Sequence, residues 1–248
     1  MWEPPRGVVS GPQTLWSEAR MFPLRSPQDA DPARRRSRRT LSSRIIRFDD
    51  PCRQERRRVE QFIEAAYAKA YGGQIQAHFP TLMSVQDEAG VIYAAVGFRH
   101  AAEAPLYLEQ YLDGPVEAVL GQAVGAVIAR AQVVEIGSLA SSGRGATVFL
   151  FAAMAHHLQT AGLRFAVATA TDELRRIFYK AGLGALQLAR ADPERLADGG
   201  GSWGAYYQAD PVVLAGSIDA ATDPLDHFSE TDPVGRAVRT RLHYEDRS

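Results

Sequence analysis

Apolar residues recur at Val59, Phe62, Ile63, Ala66, Tyr67, Ala70 and Tyr71, the three-four spacing of one helix face. Arg57, Glu60, Glu64 and Lys69 fall on the opposite face, so the pattern predicts a helix packed on one side and wet on the other. Asp50-Pro51 supplies a capping residue followed by a proline suited to a first helical position, and Gly72-Gly73 ends the run. A short strand is expected before it, at Arg44–Phe48. Alternating or continuous apolar runs at Thr81–Asp87 and Val91–Arg99, joined through Glu88-Ala89-Gly90, predict an antiparallel hairpin. Leu106–Tyr111 reads as a further short strand, Val116–Gln122 as a helix or turn, and Gln122–Gln132 fits either element.

The second half alternates more regularly. Val133–Ala140 reads as a buried strand, followed by the loop Ser141-Ser142-Gly143-Arg144-Gly145 and a helix from about Ala146 to Thr160, closed by Gly162. Arg164–Ala170 is a strand, and Asp172 opens a helix with Leu174, Ile177, Phe178 and Ala181 inward and Gly182 at its end. Strands at Ala185–Ala189 and Trp203–Tyr207 complete the expected unit. Strand–helix–strand–helix–strand in succession implies an α/β sheet with parallel neighbours, mixed with the antiparallel hairpin. One domain over 44–216 is expected, between an Arg- and Pro-rich disordered segment at 1–43 and an acidic, polar tail at 217–248.

Charge sharpens this division. Residues 1–58 hold 14 Arg against 7 acids, which leaves residues 59–248 net acidic by about 8. A folded part that is acidic argues against nucleic acid as the partner. The run Arg34-Arg35-Arg36-Ser37-Arg38-Arg39 reads as a solvated tail before it reads as a binding patch. The single cysteine, Cys52, excludes an intrachain disulfide and fits a reducing compartment, so a cytoplasmic location is expected. No apolar stretch approaches the ~20 residues of a transmembrane helix. His156 and His157 are adjacent on a helix and point apart, so no metal site is expected.

Four stretches carry a resemblance. They are AAVGFRHA (Ala94–Ala101), YLEQYLDGPVE (Tyr107–Glu117), VVEIGSLAS (Val133–Ser141) and WGAYYQADPVVLAG (Trp203–Gly216), and in them the chain resembles the thermostable hemolysin family. The order of elements, with TDELRRIFYKAGL (Thr171–Leu183) as a late helix, is similar to the GNAT acyltransferase fold. The third stretch also resembles a strand of acyl-homoserine-lactone synthases. The resemblance implies a GNAT-like, partly parallel α/β sheet flanked by helices. It further implies transfer of an acyl group from acyl-CoA, or from the phosphopantetheine of an acyl carrier protein, to a small amine. Two departures stand out. Ser138 occupies a position where the family usually has Asn, and Ala140 precedes Gly143 where acyl-CoA motifs place Gln or Arg. The second departure leaves room for a carrier protein as donor.

Acyl transfer needs a base for the nucleophile, donors for the oxyanion and an acid for the leaving thiolate. Glu135 lies in an apolar strand, where a carboxylate needs either a cleft or a partner, and is the candidate base. Tyr179 stands where many GNAT proteins keep a general acid; packing in the core is the plainer alternative. The loop Ser141, Ser142, Gly143, Arg144, Gly145 and Ala146 precedes a helix and offers amides to a phosphate or pantetheine, or else is a tight turn. Glu109, Asp113, Arg99 and Ser138 are candidate acceptor-binding residues, and Trp203, Tyr206 and Tyr207 can line an acyl pocket. The family name raises two other readings: a membrane-active protein using Val116–Ala129, and an inactive module that binds a ligand or carrier protein.

Overall fold

A computed structural model describes residues 40–225, 230–231 and 238–240. The expectations for residues 1–39, and for most of the segment after 225, lie outside the described residues. Strand β1 (Leu41–Arg47) leads into helix α1 (Arg53–Tyr71), then the hairpin β2 (Thr81–Asp87) and β3 (Ile92–His100). Helix α2 (Val116–Val124) precedes β4 (Val133–Ser141), α3 (Arg144–Thr160), β5 (Phe165–Ala170) and α4 (Asp172–Lys180). Strands β6 (Leu186–Arg190) and β7 (Val212–Ser217), helix α5 (Ile218–Leu225) and the short β8 (Glu230–Thr231) and β9 (Val238–Thr240) follow. They form one mixed sheet in the order β6-β7-β5-β4-β3-β2-β1-β9-β8.

The α/β sheet is the one expected, with a refinement on its parallel side. β4 and β5 are parallel through α3, the crossover the pattern implied. The next unit does not repeat this, because β7 inserts between β5 and β6 and pairs antiparallel with both.

Side chains alternate between the sheet's two faces. Met83, Val96, Phe98 and Val134 meet Phe149, Leu150, Ala153 and Leu158 of α3 on one face. Leu82, Ala95 and Ala140 meet Val59 and Ile63 of α1 on the other, and farther along that face Val133, Val167 and Val213 meet Leu108, Val116 and Leu120. Each such fully buried aliphatic or aromatic side chain contributes roughly 1.5–3 kcal/mol. The apolar period of α1 ends where Gly72 takes φ 66 and its N–H donates to the Ala68 carbonyl. The helix begins three residues later than Asp50 because the Asp50 carboxylate accepts the Cys52 N–H at 2.8 Å, which closes a turn ahead of it.

Two expected strands are 3-10 turns instead. At Tyr107–Tyr111 the Tyr107 and Leu108 amides donate to Glu135, so a strand ladder cannot use them. At Trp203–Tyr207 the chain forms turns Gly201–Trp203 and Tyr206–Ala209. Gly204 there has φ 59 and lies so close to the Tyr71 carbonyl that any Cβ would collide with it. The closing strand is β7, and α5 continues from it into the segment expected as a tail. In Val116–Ala129, the stretch weighed for membrane insertion, α2 buries Val116 and Leu120 in the core. Among the described residues no helix is long and apolar enough to cross a membrane.

Candidate active site

The parallel ladder between β4 and β5 runs from Val133↔Phe165 to Ile136↔Ala168 and then stops. On its other edge β4 pairs with β3 through Gly97↔Gly137 and Ala95↔Ala140, so Ser138 and Leu139 together oppose Val96. This is a β-bulge, and Ser138 adopts φ 54 within it. A non-glycine residue held there costs on the order of 1 kcal/mol or more, which surrounding pairs must offset. The bulge bends β4 away from β5 and opens the sheet.

A cavity of about 130 Å³ occupies the opening. Gly137, Ser138 and Leu139 form one side and Ala166, Ala168 and Thr169 the other. Met154, Ala155 and Leu158 of α3, with Ile218 of α5, make one end largely aliphatic, and the paired rings of Phe151 and Phe178 pack beside them. Tyr67 and Tyr71 of α1 and Tyr206 make the other end aromatic. None of the described lining residues is charged. The Tyr71 and Tyr206 rings meet edge to face at 5.2 Å, Tyr67 and Tyr71 lie 5.7 Å apart, and Trp203 backs Tyr206 at 5.5 Å. Tyr206 donates its hydroxyl proton to the Thr169 carbonyl at 3.3 Å. Burial pushes the Tyr67 and Tyr206 hydroxyls well above the ordinary tyrosine range. Of the aromatic residues weighed from sequence, Tyr206 reaches the wall, while Trp203 supports it from behind. Tyr67 and Tyr71 escaped the sequence reading because their helical spacing has the signature of plain core packing; Tyr67 and Tyr71 at i and i+4 were the available signal.

Ser138, a candidate for acceptor binding, also lies on the cavity wall. Three residues on, β4 ends in the glycine loop. There Ser141 Oγ donates to the Gly143 carbonyl at 2.9 Å and accepts the Thr147 hydroxyl at 2.7 Å. Ser142 is tied to the Tyr93 carbonyl through both its N–H and its hydroxyl. The N–H groups of Arg144, Gly145 and Ala146 lie in the first turn of α3 and have no intrahelical acceptor by geometry.

The other candidates lie off the cavity wall. Glu135 is 3% exposed, and its oxygens accept the Tyr107 and Leu108 N–H groups at 2.8 and 2.9 Å. Burial raises its pKa, and the two amides and the Arg99 guanidinium oppose that rise. Arg99 pairs in register with Glu135, donates to the Pro105 carbonyl at 3.1 Å and lies over the Phe79 ring. Glu109 receives both Nη atoms of Arg130, at 2.6 and 2.9 Å, and the Leu106 and Val116 N–H groups. The Arg130 hydrogen bonds, ahead of the backbone ones, hold the Glu109 carboxyl down at about 2. Asp113 pairs with Arg195 at 2.9 Å beside a separate polar pocket of about 320 Å³. Tyr179 is 86% exposed on α4. Among the described residues no three His, Cys, Asp or Glu side chains converge as metal ligands.

Solved structures share this architecture. The acyl-homoserine-lactone synthase LasI matches with TM-score 0.53 and 12% identity over 75% of this chain and 93% of its own. TofI, solved in a ternary complex with an inhibitor and MTA, matches with TM-score 0.52 and 14% identity over 74% and 96%. At such identities the likeness is one of fold. No curated protein matches the sequence. The sequence profile described as Thermostable hemolysin matches residues 50–222, and this chain belongs to that family.

Proposed function

We propose that the protein is an acyltransferase that moves an acyl group from an acyl thioester, either acyl-CoA or an acyl carrier protein, to a small amine. The observation that carries this reading is the uncharged cavity opened where β4 parts from β5 at the Ser138 bulge. An acyl chain requires an apolar slot, and the aliphatic end provides one that buries each methylene for about 0.8 kcal/mol. The edge of β4 from Gly137 onward has no partner strand in β5, so its amides are directed at the gap, where a thioester carbonyl develops negative charge. The first-turn amides of α3 lie at the end of the same strand and suit the phosphates or pantetheine of the donor. In this reading Glu135 is a positioning residue that holds the Tyr107–Tyr111 turn, and Tyr179 takes no part. The donors are cytoplasmic thioesters, and the lone Cys52 fits the same compartment.

The test is to incubate full-length protein with a series of acyl-CoA and acyl-carrier-protein thioesters and a mixture of amines. Free thiol is followed by absorbance and products by mass spectrometry. Thiol release that depends on an amine, and that falls at least tenfold in Ala168→Leu while the melting temperature holds, is the expected result. Failure of every donor to release thiol, with no donor altering the melting temperature, rejects acyl transfer. A donor or amine that stabilises the protein without turnover identifies a binding module instead.

A further inference from the structure

The cavity has two chemically different ends, and the acyl-transfer reading uses only the aliphatic one. We infer that the aromatic end, walled by Tyr67, Tyr71 and Tyr206, is the acceptor pocket, that it takes a primary amine carrying no carboxylate, and that Glu173 beside it removes the ammonium proton. This inference rests on the acyl-transfer reading for its chemistry, and on the cavity wall for its location.

Ser138 on β4 and Thr169 on β5 belong to the sheet layer between α3 on one face and α1 on the other, so a carbonyl at the bulge has the largely aliphatic wall on one side and the three tyrosine rings on the other. Ring faces carry negative potential and attract a cation at close range, by about 0.5–2 kcal/mol. The same faces disfavour a carboxylate. Among the described lining residues an acceptor carboxylate meets no Arg or Lys, and taking an unpaired ion out of water costs several kcal/mol. An arylalkylamine fits both conditions, with its ring packed on the tyrosines and its one charge on nitrogen.

A protonated amine cannot attack, so a proton acceptor is needed within reach. Glu173 lies on α4 between Thr171 and Leu174, both on the cavity wall, and is half-buried. The Tyr71 side chain hydrogen-bonds the Thr171 side chain at the start of α4, so the first turn that carries Glu173 adjoins the aromatic end, with Glu173 just off the cavity wall. Tyr71 faces it from α1, and Arg176 acts on it from its own helix. Among the described residues it accepts no hydrogen bond that would occupy its oxygens. Burial raises its pKa above the ordinary carboxylate value, against the weaker pull of Arg176, which makes it a stronger proton acceptor.

The ammonium gives one proton to the Glu173 carboxylate, and the freed nitrogen lone pair forms the C–N bond to the thioester carbonyl carbon. The C–S bond breaks with its electron pair on sulfur, and the thiolate takes a second proton from nitrogen. The products are an amide with one N–H and a free thiol, and Glu173 returns its proton to solvent.

Tyramine and L-tyrosine, which differ only in the carboxylate, are the probes. Each is titrated into full-length protein without donor by calorimetry, then assayed for thiol release with butanoyl, octanoyl and dodecanoyl thioesters of both CoA and acyl carrier protein from pH 6 to 10. Expected are tyramine binding and acylation, with kcat/KM for tyrosine at least tenfold lower. Tyr67→Leu raises the tyramine Kd about threefold to tenfold, whereas Tyr67→Phe, which keeps the ring, does not. Glu173→Gln lowers turnover at pH 7 by roughly a hundredfold and recovers as pH approaches the amine's own pKa of about 10. Tyrosine used as well as tyramine, tyramine failing to bind, or Glu173→Gln unchanged at pH 7 overturns the inference. Amine binding that Tyr67→Leu weakens, without thiol release from any donor, supports the pocket and overturns acyl transfer and the proton step.

Discussion

Glu135 on β4 and Glu109 in the Tyr107–Tyr111 turn that Glu135 holds are two carboxylates whose environments push them in opposite directions. Glu135 is buried, and its ionised form is tolerated because two backbone N–H groups donate to it. In Glu135→Gln one oxygen still accepts, but the side-chain NH₂ faces the other amide and leaves a buried donor without a partner. A loss of roughly 1–3 kcal/mol in urea unfolding is expected. Any fall in turnover should track displacement of Tyr107, whose hydroxyl accepts the Trp203 indole N–H at 3.0 Å. Full stability with turnover abolished would assign Glu135 directly to the chemistry. Glu109 behaves in the opposite sense. Its folded pKa of about 2 lies below the ordinary 4.5, so its contribution is complete above the unfolded value and is lost as pH falls toward the folded one. Glu109→Gln should therefore lower the melting temperature at pH 7, with a gap from wild type that narrows as pH drops below about 5. A gap constant between pH 7 and 4 would mean that the Arg130 pairing contributes little.

Gly97 and Gly137 face each other across β3 and β4, and the Phe79 side chain lies against both. A Cβ on Gly97 would come within 2.7 Å of the Phe79 Cβ, and one on Gly137 within 2.6 Å of its Cζ. The loop before β2 is anchored above them, since Arg56 donates to the Phe79 and Pro80 carbonyls. Gly97→Ala must move the loop's backbone, while Gly137→Ala need only displace a ring tip, so Gly97→Ala should be the costlier at roughly 1–3 kcal/mol. Much of the Gly137→Ala cost should disappear in a Phe79→Ala background, a coupling readable in a double-mutant cycle by urea unfolding. Strict additivity would place the strain elsewhere. These close approaches show why some elements were legible in the sequence and others were not. The runs at Thr81–Asp87 and Val133–Ala140 are short, largely continuous apolar stretches bounded by turn residues, and they form β2 and most of β4. The turns at Tyr107–Tyr111 and Tyr206–Ala209 depend on partners far away, Glu135 for the first and the Tyr71 carbonyl contacted by Ala205 for the second. A local apolar pattern contains neither partner. The Ser138 bulge is hidden for the same reason, because it exists only as a mismatch with β3.

At the scale of the whole molecule the gap is a consequence of how the two halves of the sheet are joined. β4 is fixed on its outer edge by the antiparallel hairpin strands, and β5 on its outer edge by β7. The two meet through only four parallel pairs before the bulge parts them. Both walls are therefore held by strands that do not border the opening, and α3 and α5 close it from one face. The glycine loop and the strand before it could be read from the sequence, but the cavity between non-adjacent walls could not. A preformed apolar slot makes a quantitative prediction about donors. Each methylene that enters it should add about 0.8 kcal/mol, or nearly fourfold in affinity. Calorimetric titration with a series of saturated acyl-CoA thioesters should give a Kd that falls by that step per methylene and then levels off once the slot is full. Ala155→Leu narrows the aliphatic end, so the plateau should arrive at a shorter chain while the slope before it is unchanged. An affinity independent of chain length would show that the acyl group stays outside the sheet, with binding carried by the CoA moiety alone.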